Sequence, residues 1–123
     1  MFAAGAVVSA GVGLTGCGEA MSRVVAMDDQ MKFVPAKLMV KRGDSVTWRN
    51  QSDSMVHTAT ADAVEVRDPA NVHLPHGAAA WHSGPIAPGQ SWSHTFATPG
   101  EYRYVCVPHE LVGMVGTVTV EEA

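Results

Sequence analysis

The side chains best suited to chemistry in this chain are sulfur and imidazole groups close to its C-terminus. Cys106, His109 and Met114 are spaced as C-x2-H-x4-M, on a segment between two predicted strands. His57 comes earlier, after a strand that ends near Asn50. A thiolate and a thioether are soft ligands, and in combination with imidazoles they suit copper. The pattern therefore points to a copper site.

This set of ligand types also indicates what the metal would do. Two imidazoles and one thiolate around a copper ion, with a long axial thioether, are typical of electron-transfer sites. A structural zinc site prefers four strong ligands, and a thioether is a poor one. Taken separately, Cys106, His109 and Met114 would pass as a buried free thiol, a surface histidine and a core methionine. Together with His57, they favour copper.

Strands, not helices, must position these residues. No window of a dozen residues has an apolar stripe at helical spacing, whereas alternating stretches recur between turn signals such as Pro88-Gly89 and Pro99-Gly100. This pattern predicts an all-β Greek-key β-sandwich of about 7–8 strands. Residues 61–82 are predicted to form a long surface loop with one short helical turn. The predicted strands cover residues 24–27, 37–40, 45–50, 91–96, 101–105 and 116–120.

The chain resembles the plastocyanin-like cupredoxins, which are type 1 blue copper proteins with a Greek-key sandwich (the cupredoxin fold). The resemblance covers roughly residues 23–121 and is most specific in the C-x2-H-x4-M loop. Further matching segments are residues 31–35, 42–48, 88–91 and 98–102. The resemblance implies one copper that cycles between Cu(I) and Cu(II). The implied ligands are His57, Cys106, His109 and Met114.

Two features depart from the family pattern. The first histidine ligand of the family is commonly framed as Pro-His-Asn, and the asparagine links the two ligand loops. Here the segment is Val56-His57-Thr58, so the asparagine's link is not available, although Thr58 could donate from its hydroxyl or its backbone. Residues 61–82 are also longer than in short plastocyanins, and they look closer to microbial relatives such as halocyanin.

The resemblance implies a one-electron carrier that shuttles between membrane-associated redox partners, such as cytochromes or membrane electron-transfer complexes. We expect a monomer that docks its partners near His109, over an apolar collar of Pro108, Leu111, Val112 and Met55. The alternative is a copper-delivery protein without redox turnover, although such proteins favour methionine-rich sites or open cysteine pairs. An enzyme is not expected, because a dinuclear copper site needs a second cysteine on the loop.

Other candidate residues carry weaker signals. His73, His76 and His82 lie in the irregular stretch. They are either solvated loop residues or the ligands of a second metal site. His94 is predicted to face outward from its strand. The tryptophans Trp48, Trp81 and Trp92 are predicted to be core or loop anchors. The methionines could suggest a methionine-rich copper carrier, but their spacing follows strands and favours core packing; they are Met21, Met27, Met31 and Met39.

Composition and charge limit the alternatives. The chain has 123 residues and a formal net charge of −4, so it has room for one domain with a core. Nonspecific binding of nucleic acid requires clustered Lys and Arg, and here the basic residues are spread thinly. We therefore expect no nucleic-acid partner.

The N-terminus predicts export. Residues 3–14 are small, apolar and uncharged, as in a secretory signal. The segment Leu14-Thr15-Gly16-Cys17 that follows resembles the lipobox. This resemblance implies cleavage before Cys17 and a lipid anchor on its sulfur. The predicted domains are a signal peptide (1–16), a tether (17–22) and a plastocyanin-like copper-binding domain (23–123). We expect a lipoprotein on the periplasmic or other extracytoplasmic membrane face. The alternatives are a disulfide between Cys17 and Cys106, or a buried N-terminal helix, which the glycines in this stretch disfavour.

Overall fold

The computed structural model describes residues 22–123 and shows two β-sheets with little helix. Two 3₁₀ helices, Pro69–Asn71 and Val107–Val112, lie between strands. The predicted all-β sandwich is confirmed. The short strands β2, β5 and β6 were not predicted, because two residues are too few to show an alternating pattern. The strands are β1 (Ser22–Met27), β2 (Phe33–Val34), β3 (Lys37–Lys41), β4 (Ser45–Asn50), β5 (Thr60–Ala61), β6 (Trp81–His82), β7 (Ser91–Thr95), β8 (Gly100–Val105) and β9 (Val115–Glu121).

The strand order explains how distant residues meet at one end of the sandwich. One sheet has the order β2-β1-β4-β7, and the other has the order β3-β9-β8-β5-β6. Strands β1 and β4 are parallel, as are β3 and β9, whereas β8 and β9 are antiparallel. Parallel neighbours require crossover connections, so the chain passes between the sheets. Strand β4 leads toward His57 in one sheet, and β8 leads directly into Cys106 in the other.

The core lies between the sheets and is rich in aromatic rings. In β4 the side chains of Val46, Trp48 and Asn50 are buried while the residues between them are more exposed, as an alternating strand requires. The Trp48 ring lies 5.2 Å from that of Tyr104 and 5.9 Å from that of Trp81. These contacts confirm Trp48 and Trp81 as core residues.

The structure corrects two of the side-chain predictions. His94 was predicted to face outward, but it pairs with buried Val46 across the sheet and stacks on Trp81 at 4.6 Å. Burial accordingly lowers the pKa of His94. Met27 is buried and Met31 packs against the core, as predicted, but Met39 is 61% exposed on the edge strand β3. The core prediction is therefore wrong for Met39.

The long stretch of residues 61–82 is anchored, although it is largely irregular. It contains the predicted helical turn, Pro69–Asn71, and ends in strand β6. A backbone bridge joins His73 to Arg103 of β8, with N–H···O distances of 3.1 and 2.9 Å. The stretch thus packs along the second sheet.

The predicted signal peptide, its lipobox cysteine Cys17, residues 18–21 of the tether, and Met21 lie outside the described residues. Within residues 22–123, the helices are all too short to cross a bilayer.

Candidate metal centre

Backbone hydrogen bonds fold the segment between β8 and β9 into a tight loop. The Cys106 N–H donates to the Met114 carbonyl at 3.0 Å, and the His109 N–H donates to the Cys106 carbonyl at 3.1 Å. The Met114 N–H donates to the His109 carbonyl at 3.3 Å. Gly113 has a φ of 82°, a left-handed conformation that glycine adopts without strain, and this reverses the chain before Met114. The loop therefore holds three of the four predicted ligands together.

A second loop, after β4, carries His57. The Nδ2 of buried Asn50 donates to the carbonyl oxygens of Met55 and Ile86 at 2.7 and 2.8 Å. His57 and Ile86 also exchange backbone hydrogen bonds of 3.2 and 2.8 Å. Asn50 was predicted only as the end of a strand. The signal that could have shown its role in holding the His57 loop was a polar amide at an inward-facing position of that strand.

The two loops bring the donor atoms of His57, Cys106 and His109 together. The Cys106 Sγ lies 3.5 Å from the His57 Nδ1 and 3.4 Å from the His109 Nδ1. All three donors lie within 4.8 Å of one another. These separations suit a metal about 2 Å from each donor. The donor types, two imidazoles and a buried thiol, are those that copper prefers.

This is the one cluster of potential metal-binding His, Cys, Asp and Glu side chains within the part of the chain that the structure describes. The alternative of a second site around His73, His76 and His82 therefore gains no support from the structure.

The hydrogen bonding of the His57 ring leaves one nitrogen available to bind a metal. Its Nε2–H donates to the Asp28 carbonyl at 3.0 Å, which leaves the Nδ1 lone pair directed at the cluster. His57 is fully buried, and this burial lowers its pKa. A lower pKa favours the neutral imidazole, which is the form that binds metals.

The Cys106 sulfur is buried from solvent but still has hydrogen-bond donors around it. Burial raises the pKa of the thiol, and hydrogen bonds from the backbone of Thr58 and His109 and from the Thr58 hydroxyl oppose that effect. The Thr58 N–H donates to the sulfur at 3.3 Å. A bound metal would replace the thiol proton and make the sulfur a thiolate.

Thr58 links the two ligand loops, a question that the sequence left open. Its Oγ1 accepts a 2.9 Å hydrogen bond from the Val107 N–H, while its own N–H contacts the Cys106 sulfur. Side chain and backbone therefore both take part. The two loops are therefore linked even though Thr58 stands where the family commonly has asparagine.

Met114 completes the loop from within the core. It is 1% exposed, and its backbone is bonded to both Cys106 and His109. A thioether buried at this point has no strong hydrogen-bonding role, because its sulfur is a weak acceptor. Its position is therefore compatible with a weak metal ligand.

Sequence reasoning missed Glu110. The residue is 5% exposed, and its carboxylate accepts hydrogen bonds from Arg67 N, Asp68 N and Asn71 Nδ2 at 2.8–2.9 Å. Burial would raise the pKa of Glu110, but these hydrogen bonds outweigh it and lower the pKa. The ionised carboxylate thus ties residues 67–71 to the ligand loop. The sequence signal that could have indicated this role was a charged residue next to the apolar side chains of the loop.

Comparison with known proteins agrees with this site. The family model for copper binding proteins of the plastocyanin/azurin family matches residues 20–121. The chain belongs to this family. Chloroplastic plastocyanin of Tetradesmus obliquus is 38% identical over 120 residues, covering 92% of this chain and 79% of that protein. Plastocyanin of Scenedesmus fuscus is 39% identical over 90 residues, covering 72% of this chain and 86% of that protein.

Solved structures give the same result for this cupredoxin. An oxidised amicyanin variant superposes with a TM-score of 0.62 and 33% identity, covering 80% of this chain and 81% of that one. A pseudoazurin from Sinorhizobium meliltoi superposes with a TM-score of 0.60 and 25% identity, covering 83% and 75%. The predicted family, fold and copper cofactor are confirmed, and the protein is a copper-based electron carrier of the plastocyanin-like class.

Proposed function

We propose that this cupredoxin carries single electrons between redox proteins on one type 1 copper. The proposed ligands are His57, Cys106, His109 and Met114. When bound, the copper supplies the Cu(I)/Cu(II) couple. The observation that carries the proposal is the convergence of the Cys106 sulfur and two Nδ1 atoms within 4.8 Å, at the junction of two braced loops.

The bracing favours electron transfer over copper delivery. Each ligand loop is held by its own backbone hydrogen bonds, and Thr58 joins the two loops. Donors held in one place change little between oxidation states, which keeps the reorganisation cost low. A delivery protein must open its site, whereas His57 and Cys106 are both 0% exposed and Met114 is 1% exposed.

Electrons would enter and leave through His109. This residue is half-buried, unlike the other proposed ligands. Exposed apolar side chains belong to its loop, with Leu111 at 78% and Val112 at 63% exposure, and Val56 precedes His57 at 44%. A modest apolar patch suits a partner that must bind briefly and then leave. Pro108, Leu111, Val112 and Val56, with half-buried Met55, define the proposed docking face.

Leu111→Glu is expected to slow electron transfer from a reduced partner protein by at least about tenfold, because a charge at the centre of an apolar contact must be desolvated. The blue absorption should stay unchanged. The measurement is the second-order rate of reduction by a soluble c-type cytochrome, followed by stopped flow. Met39→Glu, at an exposed site on β3, is the matched control. A wild-type rate for Leu111→Glu would exclude this docking face.

The cellular location is also a proposal. We infer that the protein is exported and held at the extracytoplasmic membrane face, for example in a periplasm, by a lipid on Cys17. Its copper domain then comprises residues 23–123 and works as a monomer near membrane electron-transfer complexes. Support comes from the lipobox and from Cys106, which lies buried among the proposed ligands and is therefore not available to pair with Cys17.

Metabolic labelling with a tagged fatty acid tests this anchor in the full gene. Wild-type protein is expected to incorporate the label and to sediment with membranes, and Cys17→Ser is expected to lose both properties. One acyl chain gives only marginal membrane binding, so a diacyl group is required for a durable tether. Cys106→Ser serves as the control and should remain labelled. Equal labelling of wild type and Cys17→Ser would refute the anchor.

A further inference from the structure

The turn between β1 and β2 is built around one residue, Asp28. Its N–H donates to the Lys32 carbonyl at 3.2 Å, and its carbonyl accepts from the Met31 N–H at 3.3 Å. Its side-chain Oδ1 accepts from the N–H groups of Gln30 and Lys32 at 2.9 and 3.1 Å. Asp28 therefore takes part in four hydrogen bonds of the turn, and two of them depend on its carboxylate.

The carboxylate holds a backbone conformation that the local sequence does not favour. Met31 has a φ of 58°, in the left-handed region that residues with a large side chain rarely adopt. The N–H groups that the Asp28 carboxylate accepts belong to Gln30 and Lys32, on either side of Met31. Without that acceptor both groups turn to water, and the turn loses the bonds that fix it around Met31.

The same residue contacts the metal centre through its backbone. A carbonyl oxygen has two lone pairs, and the Asp28 carbonyl accepts both from the Met31 N–H and from the His57 Nε2–H, at 3.3 and 3.0 Å. One oxygen thus belongs to the turn and to the environment of a proposed ligand. Its position relative to the His57 ring follows the conformation of the turn.

Two further hydrogen bonds fasten the turn to the loop that carries His57. The Gln51 N–H donates to the Met27 carbonyl at 2.8 Å, and the Asp53 N–H donates to the Asp29 Oδ1 at 2.8 Å. Both contacts join residues beside Asp28 to the loop after β4. The turn and the loop that carries His57 are therefore held together independently of the His57 ring.

We propose that the Asp28 side chain is a positioning residue for the metal centre: by closing the turn, it fixes the carbonyl that accepts from the His57 Nε2–H and keeps the Nδ1 lone pair directed at the metal. This inference rests on the proposed function. Partners of the outer nitrogen fix the tautomer and orientation of a histidine ligand, and their loss typically lowers metal affinity by roughly 10–100-fold. Any residue at position 28 supplies a carbonyl, but only a short side chain with an acceptor oxygen also closes the turn.

The first test is the Cu(I) affinity of the folded protein, measured by competition with a chromophoric Cu(I) chelator at neutral pH. Asp28→Ala is expected to lower the affinity by about tenfold. Asp28→Asn retains the Oδ1 acceptor without the charge, so it should retain the wild-type affinity. Asp28→Ser retains a single, shorter acceptor and should fall between the two. The asparagine variant thus separates the hydrogen bonds from the charge.

Asp62 supplies a matched control, because it forms the same kind of turn. Its Oδ1 accepts from the Val64 N–H at 3.0 Å, and its carbonyl accepts from the Glu65 N–H at 3.0 Å. Asp62 is half-buried, as is Asp28. Among residues 22–123, no hydrogen bond joins Asp62 to a proposed ligand. Asp62→Ala should therefore lower the unfolding temperature but leave the Cu(I) affinity at the wild-type value.

Imidazole ¹⁵N NMR of the copper-free protein gives a second readout that does not depend on the metal. Wild type and Asp28→Asn should show His57 with its proton on Nε2, whereas Asp28→Ala should show a mixture with the Nδ1–H tautomer. A merely structural role would lower the unfolding temperature of Asp28→Ala and leave both the tautomer and the affinity unchanged.

Three results would overturn the positioning role: wild-type affinity and tautomer in Asp28→Ala, an Asp28→Asn variant as weak as Asp28→Ala, or an equal loss of affinity in Asp62→Ala. If Asp28→Ala does not fold, the comparison of Asp28→Ser with Asp28→Asn decides the same question. Failure of the proposed function would be seen differently, as a wild-type protein that binds copper but has no reversible one-electron couple.

Discussion

Replacing Cys106 with serine is expected to abolish the intense blue colour of the oxidised, copper-loaded protein. The colour would arise from charge transfer between the Cys106 thiolate and Cu(II), and for the His₂Cys ligand set of this family it is expected near roughly 600 nm. A serine oxygen is a harder ligand than a thiolate, so this band cannot form. Visible absorption of the two oxidised proteins at equal copper content measures the effect.

The other cysteine supplies the matched control for this experiment. Cys17→Ser lies outside the copper domain and should retain the full band, whereas Cys106→Ser should be almost colourless. Cys106 is 0% exposed in the core, so circular dichroism of both variants should accompany the spectra to show that folding is preserved. A colourless oxidised wild type with copper bound would contradict the thiolate assignment.

The second large effect is expected at the proposed axial ligand. Met114→Gln should lower the reduction potential, because the soft thioether favours Cu(I) and the amide oxygen that replaces it favours Cu(II). A tenfold change in the relative affinity for the two oxidation states corresponds to about 59 mV, and we expect a decrease of at least this size. Protein-film voltammetry gives the potential directly.

Met39→Gln is a suitable control, since the same chemical change then falls on a side chain that is 61% exposed on β3. Its potential should match that of wild type. The Met114 variant should still fold and bind copper, because the other three proposed ligands remain. A raised or unaltered potential in Met114→Gln would show that this thioether is not the axial ligand.

The sequence by itself was sufficient for the chemistry of the site and the class of fold. Cys106, His109 and Met114 are close along the chain, so their spacing alone shows that one loop can bring them together. The long strands could also be predicted, because five or six alternating residues are enough to show the two-residue period of a strand.

Strand register was decided only by the tertiary structure. His94 shares a strand face with Trp92 and Phe96, so the alternation with Ser91, Ser93 and Thr95 already favoured an inward side chain. Its partners depend on the fold, because the pairing of β7 with β4 sets it opposite Val46 and against Trp81. Leu38, Met39 and Val40 are all apolar, so the sequence does not show which face of β3 points inward; Met39 lies on the outer face, opposite to buried Val40.

The contacts that tune the site were likewise invisible in the sequence. The Asp28 carbonyl sets the His57 tautomer and Glu110 holds residues 67–71, although the partners in each contact are far apart along the chain. No local periodicity encodes such pairs, because they exist only once two sheets pack and their connecting loops converge. Ligand identity is a property of residue type and spacing, whereas ligand orientation is a property of the packed fold.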